Sequence, residues 1–195
     1  MKIAVQPTDL FPTRIWSFDL SELSENFAMW QQSLTDWRSR EPSAAGRSNR
    51  TGWNSDKTVF ADPQFSPLLE AAKQAFIHAF REIMQKGEIR FRLEAWANIH
   101  DPMGYNVSHV HQNVLLSGCF YLTVPPGAGA IVFRDPRPGV VLSPFDGAGV
   151  NTNQAIKIDP KPGALLLFPN WLEHAVETNE AETQRQSIGI NAVQA

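Results

Sequence analysis

Cysteine is almost absent from the sequence. Cys119 stands alone among 195 residues, so no internal disulfide forms and the fold has to be held by its core. Long apolar runs are missing as well. The opening stretch MKIAVQPTDLFP carries no apolar segment long enough for a signal peptide or a membrane span, and the expectation is a protein of the reducing cytoplasm with no membrane partner. Charge of one sign is also lacking: 17 Lys plus Arg face 20 Asp plus Glu, a net charge of -3, and the basic residues are scattered. No stripe is present to neutralise phosphates, so nucleic acid is not an expected partner. What the chain does have is apolar content. At 43% hydrophobic residues it can bury a full core, and a single domain over residues 1–195 is expected. Cys119 itself lies in an apolar run and reads as a small buried hydrophobe rather than a reactive thiol.

The first 88 residues carry helical signals. Leu23, Phe27, Trp30, Leu34 and Trp37 recur at spacings of three and four behind Ser21, a candidate N-cap. Ser66 and Pro67 open a second helical pattern with an apolar face of Leu69, Ala72, Phe76, Phe80 and Ile83, stopped by Gly87. His78, alone in that helix, reads as a packing or surface residue. From residue 89 the period changes to two: Phe91, Leu93, Ala95, Ala97 and Ile99 alternate with Arg92, Glu94, Trp96, Asn98 and His100. His100-Asp101 reads as the start of a turn, because Pro102 and Gly104 follow. Shorter β-type runs follow at 115–124, 130–134, 155–158, 164–168 and 186–192, punctuated by PPGAG, DPRPG, DGAG and DPKPG. This spacing predicts a mainly β fold, a sandwich or barrel over 89–195 supported by helices from 1–88. The stretch 136–153 lacks periodicity and reads as a long loop, a lid over one barrel end, with Asp135 just before it and Arg137 and Asp146 within it as charged residues.

Two histidines stand out in the β region. His109 and His111 are two residues apart, so in an extended segment both rings point to one side, about 7 Å apart. Two imidazoles at that spacing can grip one metal ion. His174, after the 164–168 strand and the turn PNW, is the remaining β-region histidine that antiparallel pairing could bring alongside. Imidazole suits iron, zinc, copper and nickel alike, so these ligands do not choose the metal.

Eleven residues after His174 comes Arg185-Gln186-Ser187. Arg185 and Ser187 share one strand face while Ile188, Ile190 and Ala192 fill the other. An inward arginine is costly unless it meets an anion, and its planar fork binds a carboxylate through two parallel hydrogen bonds to which a serine hydroxyl can add. Asn98 and Trp96, on the polar face of the first barrel strand, either reach a ligand in the cavity or are solvated.

The combined pattern RSNRTGWNSD before the second helix, WANIHDPMGYNVSHVHQN, SGCFYLTVPPG, VFRDPRP, LLLFPNWLEH and RQSIGIN resembles the Fe(II)- and 2-oxoglutarate-dependent dioxygenases, prolyl hydroxylases among them, and a bacterial group placed with them. The resemblance implies a double-stranded β-helix, a jelly-roll or cupin-like barrel, with N-terminal supporting helices. It implies Fe(II) as cofactor, 2-oxoglutarate as co-substrate, O2 as oxidant, and a small-molecule or protein substrate. Carried over by position, His109 resembles the first iron ligand and His174 the distal one. Arg185 with Ser187 resembles the pair that holds the far carboxylate of 2-oxoglutarate, and Tyr121 resembles a tyrosine at the same carboxylate, unless it is simply a core aromatic. One departure matters. Where the family has an acidic second ligand, this chain has His111, so the metal set reads as His109, His111 and His174. Three imidazoles also make a zinc site with an open fourth position. Asp101 is an alternative ligand, whereas Glu173 should face away from His174. A cupin-like metalloenzyme without 2-oxoglutarate, or a binding module without chemistry, would share the strands but not need Arg185 and Ser187.

Overall fold

In the computed structural model, residues 4–43, 48–84, 86–143 and 154–195 are described. Among them the long alternating segment forms the central strand. Chain order gives β1 (Trp16–Asp19), α1 (Phe27–Arg40), β2 (Asn49–Asn54), α2 (Ser66–Met84), β3 (Phe91–His109) and β4 (Leu116–Thr123). β5 (Ile131–Arg134), β6 (Ala155–Ile158), β7 (Ala164–Pro169), β8 (His174–Val176) and β9 (Arg185–Gln194) follow. The strands make one antiparallel sheet in the order β1-β7-β4-β9-β3-β8-β5-β6, with β2 paired to β3. It curls into the expected jelly-roll barrel.

β3 is what bends the sheet. Its first half pairs with β9 from Phe91↔Gln194 to His100↔Arg185, and its second half pairs with β8 at Asn106 and His109, with a register shift between. The expected turn at His100-Asp101 is therefore not a turn between elements. The strand runs through it, and the irregularity is absorbed as a bulge: on β2, Gly52 faces His100 while Arg50 already faces Tyr105. Met103 carries the left-handed φ of 67° that the bulge requires. This kink lets one strand serve both halves of the barrel.

The period-two pattern separates two interiors. Ala95, Ala97, Ile99, Ile188, Ile190 and Ala192 point outward from the barrel and are fully buried beneath the helices. Trp30 and Leu34 of α1 and Phe76 of α2 close this layer, and the Trp30 indole N–H donates to the Gln64 carbonyl at 2.9 Å. The opposite faces of the same strands line the barrel, where Phe133, Leu166 and Phe168 form a smaller cluster. Asn98 and His100 thus face a buried cavity rather than solvent.

Several local expectations are corrected. The first 88 residues supply two strands, β1 and β2, besides the helices. Ser21 does not cap α1; it begins a 3-10 helix over Ser21–Asn26 whose N-cap is Leu20, and its N–H is taken by Asp19 Oδ1 at 2.9 Å. In α2 the buried face runs through Leu68, Ala72, Ala75, Phe76, Ala79 and Phe80. Leu69 is half-buried and Ile83 exposed, because the face begins one residue earlier than the spacing suggested. Gly87, with φ 91°, lies just past the end of α2, and His78 is an exposed residue 3.1 Å from Glu82. Cys119 packs half-buried against the smaller apolar cluster and lines the barrel cavity. Of the 136–153 loop, Pro138–Leu142 forms an exposed 3-10 turn; Asp146 and the rest of the expected lid lie outside the described residues. No helix among the described residues is long and apolar enough to cross a membrane.

Candidate active site

A different device positions each of the three histidines. His109 closes β3 directly opposite His174, the first residue of β8. His111 lies beyond the strand, where its N–H donates to the Asn170 carbonyl (2.9 Å) and Asn170 Nδ2 returns a bond to the His111 carbonyl (3.2 Å). The turn PNW therefore clamps the segment that carries His111. Ring centroids stand 4.3 Å apart for His109 and His174, 5.1 Å for His111 and His174, and 5.3 Å for His109 and His111. One ring nitrogen from each lies within 4.8 Å of the others, a spacing that can hold a metal ion.

Hydrogen bonds fix the tautomers. His109 Nδ1 lies 2.8 Å from the Val107 carbonyl and His174 Nδ1 lies 2.9 Å from the Leu172 carbonyl. A carbonyl only accepts, so both Nδ1 atoms carry the proton and both Nε2 atoms keep their lone pairs. His111 Nδ1 donates to Asn191 Oδ1 at 2.9 Å in the same manner. Burial, then the neighbouring His109, pushes the His174 imidazole down to about 3, and burial also lowers that of His109. Both are neutral at pH 7, the state a metal requires.

Deeper in the cavity, Arg185 opens β9 opposite His100 and is 1% exposed. Its Nη1 donates to the Ala128 carbonyl and, at 3.5 Å, to that of Gly129, while Nη2 has no hydrogen-bond partner. Its ionisable neighbours are the phenol of Tyr121 and the thiol of Cys119, and no carboxylate among the described residues acts on it. Burial is the largest influence and lowers its proton affinity, as expected for a desolvated cation. Tyr121 and Ser187 pair across β4 and β9 beside it, and the Tyr121 hydroxyl is buried without a partner. Burial pushes the pKa of that phenol well above its ordinary value, so it holds its proton, and also pushes up that of the Cys119 thiol. The cavity thus joins a nest of imidazole lone pairs to a buried cation with an unused fork, and apolar side chains such as Ile131, Phe168 and Val176 close one wall.

The acidic alternatives lie elsewhere. Both carboxylate oxygens of Asp101 are taken by Arg38 at 2.7 Å, and Gln184 adds a bond at 2.9 Å. Glu173 faces away from His174, accepting from Ser108 and lying 3.7 Å from Arg134. Asp135 and Arg137 pair with each other at 2.6 Å. Residues that the sequence pattern did not single out also border the site: Ser48 and Asn106, which line the cavity beside His109, and Asn191, which holds His111 from the adjoining groove. Asn191 shares the strand parity of Arg185 and Ser187, a signal that was present. Ser48 and Asn106 depend on the β2 pairing and the β3 bulge, which leave no trace in the spacing.

Residues 94–191 match the model of a family described as "Putative 2OG-Fe(II) oxygenase". The chain belongs to this family. Among curated proteins, none matches this 2OG-Fe(II) oxygenase family member in sequence. Solved structures agree on the fold. A prolyl-4-hydroxylase from Pseudomonas putida superposes with a TM-score of 0.69 at 13% identity, covering 94% of both chains. A Trichoplax adhaerens prolyl hydroxylase, solved with a hypoxia inducible factor peptide fragment, gives 0.66 at 13% identity over 92% of this chain and 83% of its own. HygX from Streptomyces hygroscopicus, crystallised with nickel and 2-oxoglutarate, gives 0.65 at 11% identity over 94% and 84%. Membership of an oxygenase family means that O2 and an organic substrate are used together.

Proposed function

We propose that His109, His111 and His174 hold the Fe(II) of this oxygenase and that Arg185, with Ser187 and Tyr121, anchors the far carboxylate of 2-oxoglutarate. The observation that carries this reading is Arg185: a guanidinium 1% exposed, with Nη2 unpartnered and no carboxylate beside it among the described residues. Such a group is costly to bury without an anion, and a dicarboxylic oxo acid supplies one. The histidines fit the metal because burial favours the neutral form of His109 and His174 and all three have Nδ1 engaged, leaving Nε2 as donor. When bound, iron and the 2-oxo acid together activate O2 for oxidation of the substrate. The chain's part is geometric. The Val107, Leu172 and Asn191 acceptors keep the three rings from turning, Arg185 sets the depth and direction of the co-substrate, and Phe168 and Ile131 keep water from that end of the cavity.

His111 in place of an acid leaves the ligand set neutral, so the chelating carboxylate of the 2-oxo acid is the anion that offsets the metal charge, its far carboxylate being matched to Arg185. A cupin-like metalloenzyme that binds no oxo acid would leave Arg185 without a role. Anaerobic titration of the protein with Fe(II) and then 2-oxoglutarate separates the two: a metal-to-ligand charge-transfer band is expected, and bound iron without the band overturns the co-substrate assignment.

A further inference from the structure

One wall of the cavity holds a file of hydrogen bonds that ends at the metal position. Ser48 Oγ lies 3.4 Å from His109 Nε2, and Asn106 Nδ2 lies 2.6 Å from Ser48 Oγ. At the far end, His100 Nε2 is bonded to Asn106 Oδ1, and His100 is 2% exposed. The directions follow from His109. Its Nδ1–H is spent on the Val107 carbonyl, so its Nε2 can only accept, and the Ser48 hydroxyl donates to it. Ser48 oxygen is therefore free to accept from the Asn106 amide, whose own oxygen accepts from His100. Backbone pairing fixes the file in place: Val107 N–H donates to the Ser48 carbonyl at 3.0 Å, and Asn49 pairs with Asn106 between β2 and β3.

This arrangement is complete only without metal. An ion on His109 takes the lone pair that receives the Ser48 proton, while Asn106 still occupies the serine oxygen from behind. The hydroxyl then turns to another acceptor close to the ion, since a half-buried donor left without one carries a cost. Resting on the ligand and co-substrate reading above, we infer that Ser48 is a co-substrate contact: its hydroxyl donates to the metal-chelating carboxylate of the 2-oxo acid. Asn106 and His100 are positioning residues that hold the hydroxyl in that orientation. Ser48 thus exchanges a bond to a ligand nitrogen for a bond to the co-substrate, which couples oxo-acid binding to metal occupancy.

Anaerobic binding measurements test the inference without turnover. Fe(II) affinity is read by competition with a chromophoric chelator, and 2-oxoglutarate affinity by the charge-transfer band, in the wild type, Ser48→Ala, Ser48→Thr, Asn106→Ala and Arg185→Ala. Ser48→Ala should bind Fe(II) as tightly as the wild type or more so, because a competing hydrogen bond is gone. It should weaken 2-oxoglutarate by about tenfold, the size of one charge-assisted bond, and move the band. Ser48→Thr should restore both, and Asn106→Ala should shift affinity in the same direction by a smaller factor. Equal 2-oxoglutarate affinity in Ser48→Ala, or an equal fall in Fe(II) affinity, overturns the role of Ser48. Failure of the wild type to bind 2-oxoglutarate, or an unchanged affinity in Arg185→Ala, overturns the underlying co-substrate reading instead.

Discussion

At the scale of single residues the site is a matter of unspent hydrogen-bonding capacity. Arg185 has half a fork in use, on the Ala128 and Gly129 carbonyls, and half unused. Replacing Arg185 with Ala should weaken 2-oxoglutarate by about 1.5 to 3 kcal/mol for each charge-assisted bond lost, roughly ten- to a hundredfold per bond, with Fe(II) affinity unchanged. Calorimetry under nitrogen measures both. Asn191 carries a second expectation, because it is the acceptor that orients His111. Asn191→Ala should lower metal affinity by about tenfold to a hundredfold, the usual effect of removing a partner behind a ligand, and chelator competition reads it. These residues also mark what the sequence made legible. Two histidines at i and i+2, and an arginine and serine at the same spacing, announce themselves because strand parity turns spacing into a shared face. Asn191 obeys the same parity but is one of many asparagines. Ser48 reaches the site through β2, whose sequence NRTGWN has polar residues on both faces and no period to read.

Among elements, the decisive contact is between β3 and β9. Trp96 pairs with Gly189, and a Cβ built on Gly189 would come within 2.4 Å of the indole ring. The indole therefore lies flat on the β9 backbone and forms part of the cavity wall. Gly189→Ala should push the ring into the cavity, with a cost of about 1 to 3 kcal/mol in stability, an altered tryptophan emission and weaker 2-oxoglutarate binding. Leu34→Ala in α1 is the counterpart on the other side of the sheet. Leu34 is fully buried among helix and sheet residues and touches nothing in the cavity, so its loss should cost about 2 to 5 kcal/mol in urea unfolding and leave Fe(II) affinity intact. The contrast reflects how the alternation of β3 sorts its residues: Ala95, Ala97 and Ile99 serve the helices, and Trp96, Asn98 and His100 serve the cavity. That sorting was legible as far as His100. Beyond it, the bulge at 101–104 breaks the alternation, which is why the run looked like a turn and why the inward placement of Asn106 had no sequence signal.

For the molecule as a whole, the buried imidazoles make stability depend on pH in a defined window. His100 and His174 are each pushed down to about 3, mainly by burial, with Arg185 adding to the effect on His100 and His109 to that on His174. Unfolded, each has the ordinary value of 6.5. The unfolded chain thus binds more protons between these limits, and stability rises with pH there. Their contribution is fully present above 6.5 and is lost as pH falls toward about 3, at a slope approaching 1.4 kcal/mol per pH unit for each histidine. Depressed carboxylates also lose stability in acid, but only around and below their ordinary values, 3.8 for Asp101, held down first by its bonds from Arg38, and 4.5 for Glu82, Glu94 and Glu177. Urea unfolding of the metal-free protein between about pH 6.5 and 5.5 therefore isolates the histidines. A steady fall is expected, with a shallower slope in His100→Gln, which keeps a polar group of similar reach but does not titrate. Stability that stays flat across that interval would show that neither imidazole is buried in its neutral form, and would remove the electrostatic basis for reading this cavity as a preformed metal site.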